Sequence, residues 1–321
     1  MEVRTFRASA SPLLSIGGGT QRADSLYDSF HAVSGAIRLP DGSIVVMAGG
    51  HHEVRRFGPD GTHLWSRGRR GEGPVEFEMP KLLPTCSSDD RIVVYDRHSR
   101  ITILNNDGEL VEDYRLRLGD RRPYSTIECS PSGRMAFTLY ARDDEMPSEP
   151  GPHRWAMDMA YVDGKGSATV FRSGIPGTDR HLYFRDGYPT SELPLTWGRD
   201  VALAVADDGV WIGTGDSHEI EFVDWAGTTV RRIRWAGPDL EVTQEDIDLE
   251  RNRLYELYEQ WQVADWRQRF EAMWKQDEPA LPARFPSHNT IMVAADRIWV
   301  KHFRQPRQTE HHWVAFNDGG T

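Results

Sequence analysis

The feature that most constrains the fold of this 321-residue chain is a turn signal that recurs in pairs. The turns are Asp-Gly, Asn-Gly and similar sites, and the two turns of a pair lie 18 to 31 residues apart. The five pairs are centred on Gly42 and Gly61, Asp90 and Gly108, Gly133 and Gly164, Gly209 and Gly227, and Asp296 and Gly319. Runs rich in β-branched and aromatic residues separate them, so we interpret the turns as two-residue hairpin loops in which glycine supplies a positive φ.

The spacing of the pairs predicts an all-β fold, a β-propeller of four-stranded blades. The first turns of the first three pairs are 48 and 43 residues apart, and a period of 40 to 50 residues with four short strands is typical of a blade. The charged, glycine-rich stretch 66–84, "SRGRRGEGPVEFEMPKLLP", then contains a joint at 68–80 between two blades. A phosphate-binding loop is disfavoured, because the stretch lacks the Lys-Ser/Thr of a P-loop and Pro74 has no amide hydrogen.

Two segments interrupt the repeat. Residues 142–156 are polar and proline-rich, which favours a long loop in the third unit. Residues 243–276 have a helical apolar pattern, with Thr243 as N-cap and a break near Ala264-Asp265. We expect a helical insertion between the fourth and fifth blades of a single domain, 1–321.

The end of the repeat leaves a question about ring closure. The chain stops at Thr321, before the fourth strand of the fifth unit. Residues 12–18, "PLLSIGG", are predicted to be a closing strand, since an open sheet edge promotes aggregation. The alternatives are a truncated sequence or a ring that is smaller or more irregular than expected.

Composition excludes several classes of protein. A net charge of −11 disfavours a nucleic-acid partner, and no run of 18 apolar residues predicts a transmembrane helix. We expect Cys86 and Cys129 to be free thiols, with a single disulfide as the alternative. The first residues lack a signal-peptide pattern, so the chain is expected to be cytoplasmic, or periplasmic or otherwise extracytoplasmic after removal of an export signal.

The stretches 68–77, "GRRGEGPVEF", and 91–110, "RIVVYDRHSRITILNNDGEL", resemble the bacterial six-bladed β-propeller family related to NHL repeats. The resemblance implies six blades, the last incomplete, and a protein that is exported or lipoprotein-anchored. Val75 stands where the family has glycine, and we interpret this as a site that does not need a positive φ. Asp96, which ends a strand in the second stretch, is expected to cap the amides of the next turn.

The resemblance extends to six-bladed enzymes of the gluconolactonase and paraoxonase type, which hold Ca²⁺ with one oxygen ligand per blade. The candidate metal ligands at comparable positions are Glu76, Glu128, Asp200 and Asn289, and His31 or His288 is the candidate base. The structural alternative is that these acids accept backbone amide hydrogens or pair with arginines, as Glu76 could with Arg69 and Arg70.

Two hypotheses of function follow. The first is a non-enzymatic scaffold that binds a protein, peptide, glycan or small molecule, with Trp261, Trp266 and Trp274 of the helical insertion either lining a groove or packing on the propeller. Under this hypothesis no cofactor is established. The second is a Ca²⁺-dependent hydrolase or lactonase.

Overall fold

The computed structural model describes residues 11–17, 29–88, 90–96, 99–119, 121, 123, 127–130, 132–141, 147, 149–162, 166–185, 188–260, 265–277, 280–294 and 297–317. Within them the chain is all-β apart from two α-helices and short 3-10 turns. The strands form five antiparallel sheets of the blade type, in which consecutive strands are neighbours. The described residues therefore give five blade-like sheets rather than the six that were expected.

Sheets 1 and 2 each have four strands. Sheet 1 comprises β1 to β4, Val33–Arg38, Ile44–Ala48, Glu53–Phe57 and His63–Arg67. Sheet 2 comprises β5 to β8, Lys81–Leu82, Ile92–Asp96, Arg100–Leu104 and Leu110–Arg115. The inward faces of these two sheets form one core cluster that includes Val45, Val54, Leu82 and Ile92.

Sheet 3 has five strands and departs most from the expected pattern. It comprises β9 to β13, Glu128–Cys129, Met135–Tyr140, Gly151–Val162, Ala168–Arg185 and Tyr188–Pro194. The loop predicted for 142–156 is wrong at its C-terminal end, because residues 151–156 belong to a 12-residue strand. Residues 142–146 and 148 lie outside the described residues.

Sheets 4 and 5 flank the helices in the sequence. Sheet 4 comprises β14 to β17, Ala202–Val205, Gly209–Gly213, Glu219–Asp224 and Thr229–Arg234. The helices are α1, Gln244–Gln260, and α2, Trp266–Asp277. Sheet 5 comprises β18 to β20, His288–Ala294, Arg297–His302 and Trp313–Phe316. The two sheets share a core cluster that includes Trp211, Phe222, Ile291 and Val300.

The predicted turns at Gly164, Asp296 and Gly319 lie outside the described residues. The others fall between strands, and five of them have loops longer than predicted. At Gly42 the amide donates to the carbonyl of Leu39, while the Leu39 amide donates to the carbonyl of Ser43. The loop therefore has three residues, with glycine left-handed at its end (φ 84°). The same two bonds recur at the turns that end in Gly61, Gly108, Gly133 and Gly227. One turn geometry thus explains the repeated glycines.

The joint 68–80 lies between β4 and β5, as predicted, and a buried ion pair organises it. Arg100 donates to the carbonyls of Glu72 and Gly73 at 2.7 and 2.9 Å, and also to the carbonyl of Glu76. Asp96 accepts the amides of Glu78 and Met79 at 3.0 and 2.7 Å. Asp96 is therefore architectural, but the amides it binds belong to the preceding joint and not to the next turn.

Three expectations are corrected in this part of the chain. Val75 has φ 56°, so the backbone does adopt the left-handed conformation at this position. Cys86 and Cys129 form a disulfide, with 4.8 Å between their Cα atoms, and are not free thiols. Residues 12–17 of the predicted closing strand 12–18 form no strand, although Leu14 and Ile16 lie beside Gly61, and Gly18 lies outside the described residues.

The helical insertion has the predicted start and break. Thr243 and Asp246 bond reciprocally at the start of α1, as expected for an N-cap. The break before α2 falls at Asp265, which has φ 57°. Tyr255 of α1 contacts Trp266 and Phe270 of α2 with ring centroids 4.8 and 5.3 Å apart, so the helices pack on each other through aromatic rings.

The chain divides into two compact units. The first contains residues 1–120, 127–136 and 161–169, and the second contains 121–126, 137–160 and 170–321. Sheets 1 and 2 and the disulfide belong to the first unit. Sheets 4 and 5 and both helices belong to the second.

Candidate functional site

The polar site that we consider the best candidate is built at one end of sheets 4 and 5, in the second unit. His218 immediately precedes β16 and Trp235 immediately follows β17, while His288 opens β18 and His302 closes β19. Because these strands are antiparallel, each pair of residues meets at the same end of its sheet. His218 accepts the amide of Trp235 through its carbonyl at 3.1 Å, and His288 pairs with His302 in the ladder.

These four residues form an aromatic cluster, which we call the histidine–tryptophan cluster. The ring centroid of Trp235 lies 5.8 Å from those of His218 and His288 and 6.2 Å from that of His302. His218 and His302 are also 5.8 Å apart. The packing needs glycine beside it, since a Cβ on Gly213 would lie 1.9 Å from Nε2 of His288.

Hydrogen bonds fix the tautomer of His288. The Ser287 hydroxyl donates to the carbonyl of Ser217 at 2.5 Å, so its oxygen can only accept from Nδ1 of His288, 2.8 Å away. The proton therefore lies on Nδ1, and the lone pair lies on Nε2. That Nε2 is buried and has no hydrogen-bond partner among the described residues.

The environment keeps the imidazoles neutral. Burial, followed by the nearby His218 and His302, lowers the pKa of His288 to about 4. Burial and then His218 lower the pKa of His302, and burial and then Arg284 lower the pKa of His218. Near neutral pH the cluster is thus an uncharged aromatic surface.

A second polar group, the arginine–aspartate cluster, adjoins the first through the loop 214–218. Arg154 and Arg199 both donate to Oδ1 of Asp216 at 2.6 Å, and Arg199 also donates to Asp179 at 2.8 Å. Burial opposes ionisation of Asp216, but the hydrogen bonds from Arg154 and Thr214 outweigh it and hold its pKa below the ordinary value. The charges of this cluster are compensated within the chain.

The structure places three of the predicted site residues near these clusters. His288 is a member of the first cluster, and the adjacent Asn289 is exposed and accepts the Thr290 hydroxyl at 3.3 Å. Asp200 follows Arg199 and accepts the Thr178 hydroxyl and the Val201 amide. Neither Asp200 nor Asn289 is joined to a second carboxylate by a described contact.

The remaining predicted residues of the metal site lie in the first unit. Glu76 accepts the Gly73 amide at 2.8 Å and the Arg69 side chain at 2.7 Å, and these bonds, the Gly73 amide first, lower its pKa. Glu128 accepts the Thr85 hydroxyl at 2.7 Å, and burial raises its pKa. His31 is exposed, and its carbonyl accepts the Gly50 amide.

In the part of the chain that the structure describes, no group of three or more His, Cys, Asp or Glu side chains is placed to hold a metal ion. The predicted metal ligands therefore stay a prediction.

The tryptophans of the helical insertion differ in exposure. Trp274 is 4% exposed and its ring lies 6.3 Å from Phe270, whereas Trp266 is half-buried. Trp261 lies outside the described residues.

Sequence reasoning missed Trp235, His218 and His302, as well as Asp216. The available signal was positional, because each of the three aromatic residues stands within one residue of the end of a strand that the turn pairs predict. No motif marks them.

The chain matches no known sequence family and no curated protein. Among solved structures, a Bacteroides fragilis protein described as exported shares 12% identity over 90% of this chain and 69% of that chain, with a TM-score of 0.42. A Bacteroides caccae protein of unknown function shares 11% identity over 90% and 78%, with a TM-score of 0.39. The calcium-binding protein regucalcin from Agrobacterium tumefaciens shares 13% over 86% and 84%, with a TM-score of 0.30. At these identities and TM-scores, no activity of these proteins can be assigned to this chain. The architecture described above is derived from the strand pairing of this chain itself.

Proposed function

We propose that this chain is a non-enzymatic recognition protein of the β-propeller type, which binds a protein, peptide or glycan through the surface around the loop 214–218. The observation that carries the proposal is that the Ser287 hydroxyl and Nδ1 of His288 in the best-built site already have hydrogen-bond partners inside the chain. The Ser287 hydroxyl donates to a backbone carbonyl, and Nδ1 of His288 donates to that same hydroxyl oxygen. The acceptor of the serine proton is the Ser217 carbonyl and not an imidazole nitrogen, so the pair is not arranged as a nucleophile and base.

The surface beside this site suits recognition. Asp216, Ser217, Ala236 and Gly237 are exposed, and Trp235 is half-buried next to them. Binding surfaces commonly combine a tryptophan ring with polar groups at the rim, because the ring supplies apolar area at a low entropic cost. The partly exposed neutral imidazoles of His218 and His302 extend the apolar area.

A matched pair of variants tests the proposal. The full-length protein would be screened against a displayed random peptide library and a glycan array. The affinity of each binder would then be measured for the wild type and for Ala236→Arg. Ala226→Arg is the control, because Ala226 is also exposed and lies in the turn at the opposite end of β16 and β17. We expect Ala236→Arg to weaken binding about tenfold or more, because it places a large charged side chain at the centre of the interface. Ala226→Arg should leave binding unchanged. Equal binding by both variants, or no binder from either collection, would count against the proposed surface.

The alternative function, a Ca²⁺-dependent hydrolase or lactonase, gives an opposite result in a thermal melt. If carboxylates including Glu76 held Ca²⁺, a saturating concentration would raise the melting temperature, and Glu76→Ala would abolish that gain. Under the recognition proposal Ca²⁺, Mg²⁺ and Mn²⁺ leave the melting temperature unchanged. A Ca²⁺-dependent rise that Glu76→Ala removes would favour the enzyme.

We also propose that the protein works in an extracytoplasmic, oxidising compartment. The disulfide between Cys86 and Cys129 supports this, because such bonds persist mainly where thiols are not kept reduced. No helix of the described residues is long and apolar enough to cross a membrane. Alkylation of thiols during lysis of the native cells would test the compartment, and two free thiols would contradict it.

A further inference from the structure

The contact between Trp235 and His302 depends on protonation. Nε1 of Trp235 lies 3.2 Å from Nε2 of His302, and an indole nitrogen can only donate. Nε2 of His302 must therefore carry its lone pair, and this imidazole must be neutral with its proton on Nδ1. A protonated His302 would present a second donor to the indole, and the hydrogen bond could not form.

The contact joins the ends of two sheets. Trp235 continues β17 of sheet 4, and His302 closes β19 of sheet 5. Trp235 also lies 5.5 Å from Phe316, measured between ring centroids, so its ring packs on the core that the two sheets share. Loss of the hydrogen bond would free the indole nitrogen at the edge of that core and loosen the exposed residues that follow, Ala236 and Gly237.

We propose that His302 is a pH-sensitive switch that holds Trp235 when neutral and releases it when protonated. The switch goes beyond recognition and does not depend on it, because it concerns the conformation of this chain alone. Its charge is set by the groups that face the cluster: His218 and His312 beside His302, Arg284 beside His218, and Asp216 beside His288. Most of these groups are cationic or become cationic in acid. Each proton that they bind therefore adds positive charge around His302 and further disfavours the arrangement in which Trp235 is hydrogen-bonded to it.

The direction of the switch follows from burial. Burial, then His218 and His312, lower the pKa of His302 from its ordinary value of 6.5, so the contact is intact at neutral pH and is lost below 6.5. Release of Trp235 is thus coupled to uptake of a proton.

The indole N–H resonance of Trp235 in full-length ¹⁵N-labelled protein measures the switch directly, with Trp235→Phe to assign it. In the wild type we expect this resonance to shift as the pH is lowered from 7.5 to below 6.5, with the same midpoint as the ring resonances of His302, while the far-UV circular dichroism stays constant. His302→Gln replaces Nε2 by an amide oxygen that accepts and does not titrate, and it should abolish that shift.

His302→Arg serves as the permanently charged counterpart and should show the released resonance already at pH 7.5. His311→Gln is the matched control, because His311 is exposed near the same strand end and makes no described contact with Trp235. It should titrate like the wild type. An unchanged shift in His302→Gln, or a wild-type resonance that stays fixed until global unfolding, would overturn the proposal, and the wild-type titration decides the matter even where a variant fails to fold.

Discussion

Val75 is a β-branched residue in a backbone conformation that L-residues avoid. Its φ of 56° places it in the left-handed region, where contact between Cβ and the backbone costs roughly 1–2 kcal/mol. The side chain is half-buried and packs against the core cluster of sheets 1 and 2, which includes Phe77 and Leu82. Packing of the isopropyl group therefore offsets the backbone strain. The expectation that a valine at this position excludes a positive φ is wrong for this reason.

We predict that Val75→Gly is more stable than Val75→Ala by about 1 kcal/mol, the reverse of the usual order of these residues. Both variants lose the packing of the valine, but only glycine removes the strain. Urea unfolding of the two variants measures the difference. A matched comparison at Val54, a buried β3 residue for which no positive φ is found, should give alanine as the more stable substitution. The same order at both positions would contradict the strain at Val75.

Single residues of the candidate site were predictable only where a chemical type stands out. His288 was named as a candidate base from the resemblance to calcium-binding propeller enzymes, and not as a member of an aromatic cluster. Trp235 and His302 carry no motif, and their roles arise from a meeting of strand ends in two different sheets, which local periodicity does not report. In contrast, the hydrogen bonds that Glu76 accepts from Arg69 and from the Gly73 amide could be predicted, because these residues are close to it in the sequence.

Among the elements, the turns and the joint were the most predictable and sheet 3 was the least. The three-residue loop with a left-handed glycine uses only local bonds, so its signature is visible in four or five consecutive residues. The fifth strand of sheet 3, Tyr188–Pro194, pairs with the end of an 18-residue strand that has no counterpart in the other sheets. This edge strand contains two prolines, which lower its predicted β propensity, although proline is tolerated in an edge strand.

The disulfide links the start of sheet 2 to the start of sheet 3. Cys86 ends the 3-10 turn Pro84–Cys86 and Cys129 ends β9, 43 residues later. The neighbouring Thr85 hydroxyl donates to Glu128 and accepts the Cys129 amide at 3.1 Å, so hydrogen bonds support the same junction. Two cysteines in a chain of this length gave no count-based reason to expect pairing.

Removal of this link should be costly. Closure of a loop of about 43 residues stabilises the fold by roughly 4 kcal/mol in the chain-entropy view. We therefore expect Cys86→Ala/Cys129→Ala to lower the free energy of unfolding by roughly 3–4 kcal/mol in urea. Dithiothreitol should destabilise the wild type and leave the double variant unchanged. A wild type whose midpoint ignores reductant would contradict the disulfide.

For the molecule as a whole, acid lability should come first from the histidine–tryptophan cluster. The lowered pKa values of His218, His288 and His302 mean that the unfolded chain binds protons more readily than the folded one. Stability is then fully present above the ordinary histidine pKa of 6.5 and is lost as pH falls toward about 4, the pKa of His288. Paired carboxylates such as Glu76 and Asp216 act in the same direction, but only below their ordinary values of 4.5 and 3.8.

His288 dominates the interval between these limits. A shift from 6.5 to about 4 corresponds to about 3 kcal/mol, and its complete burial means that solvent does not screen the effect. We predict that protonation of His288 costs the wild type roughly 2 kcal/mol of this between pH 7 and pH 4.5, measured by urea unfolding at each pH. His288→Asn keeps an N–H for the Ser287 hydroxyl and cannot be protonated in this range. The slope of its free energy of unfolding against pH should therefore be smaller than that of the wild type, by an amount equivalent to at most one bound proton. Parallel pH profiles, or a His288 ring that titrates near 6.5 by NMR, would show that this imidazole is not held neutral by the core around it.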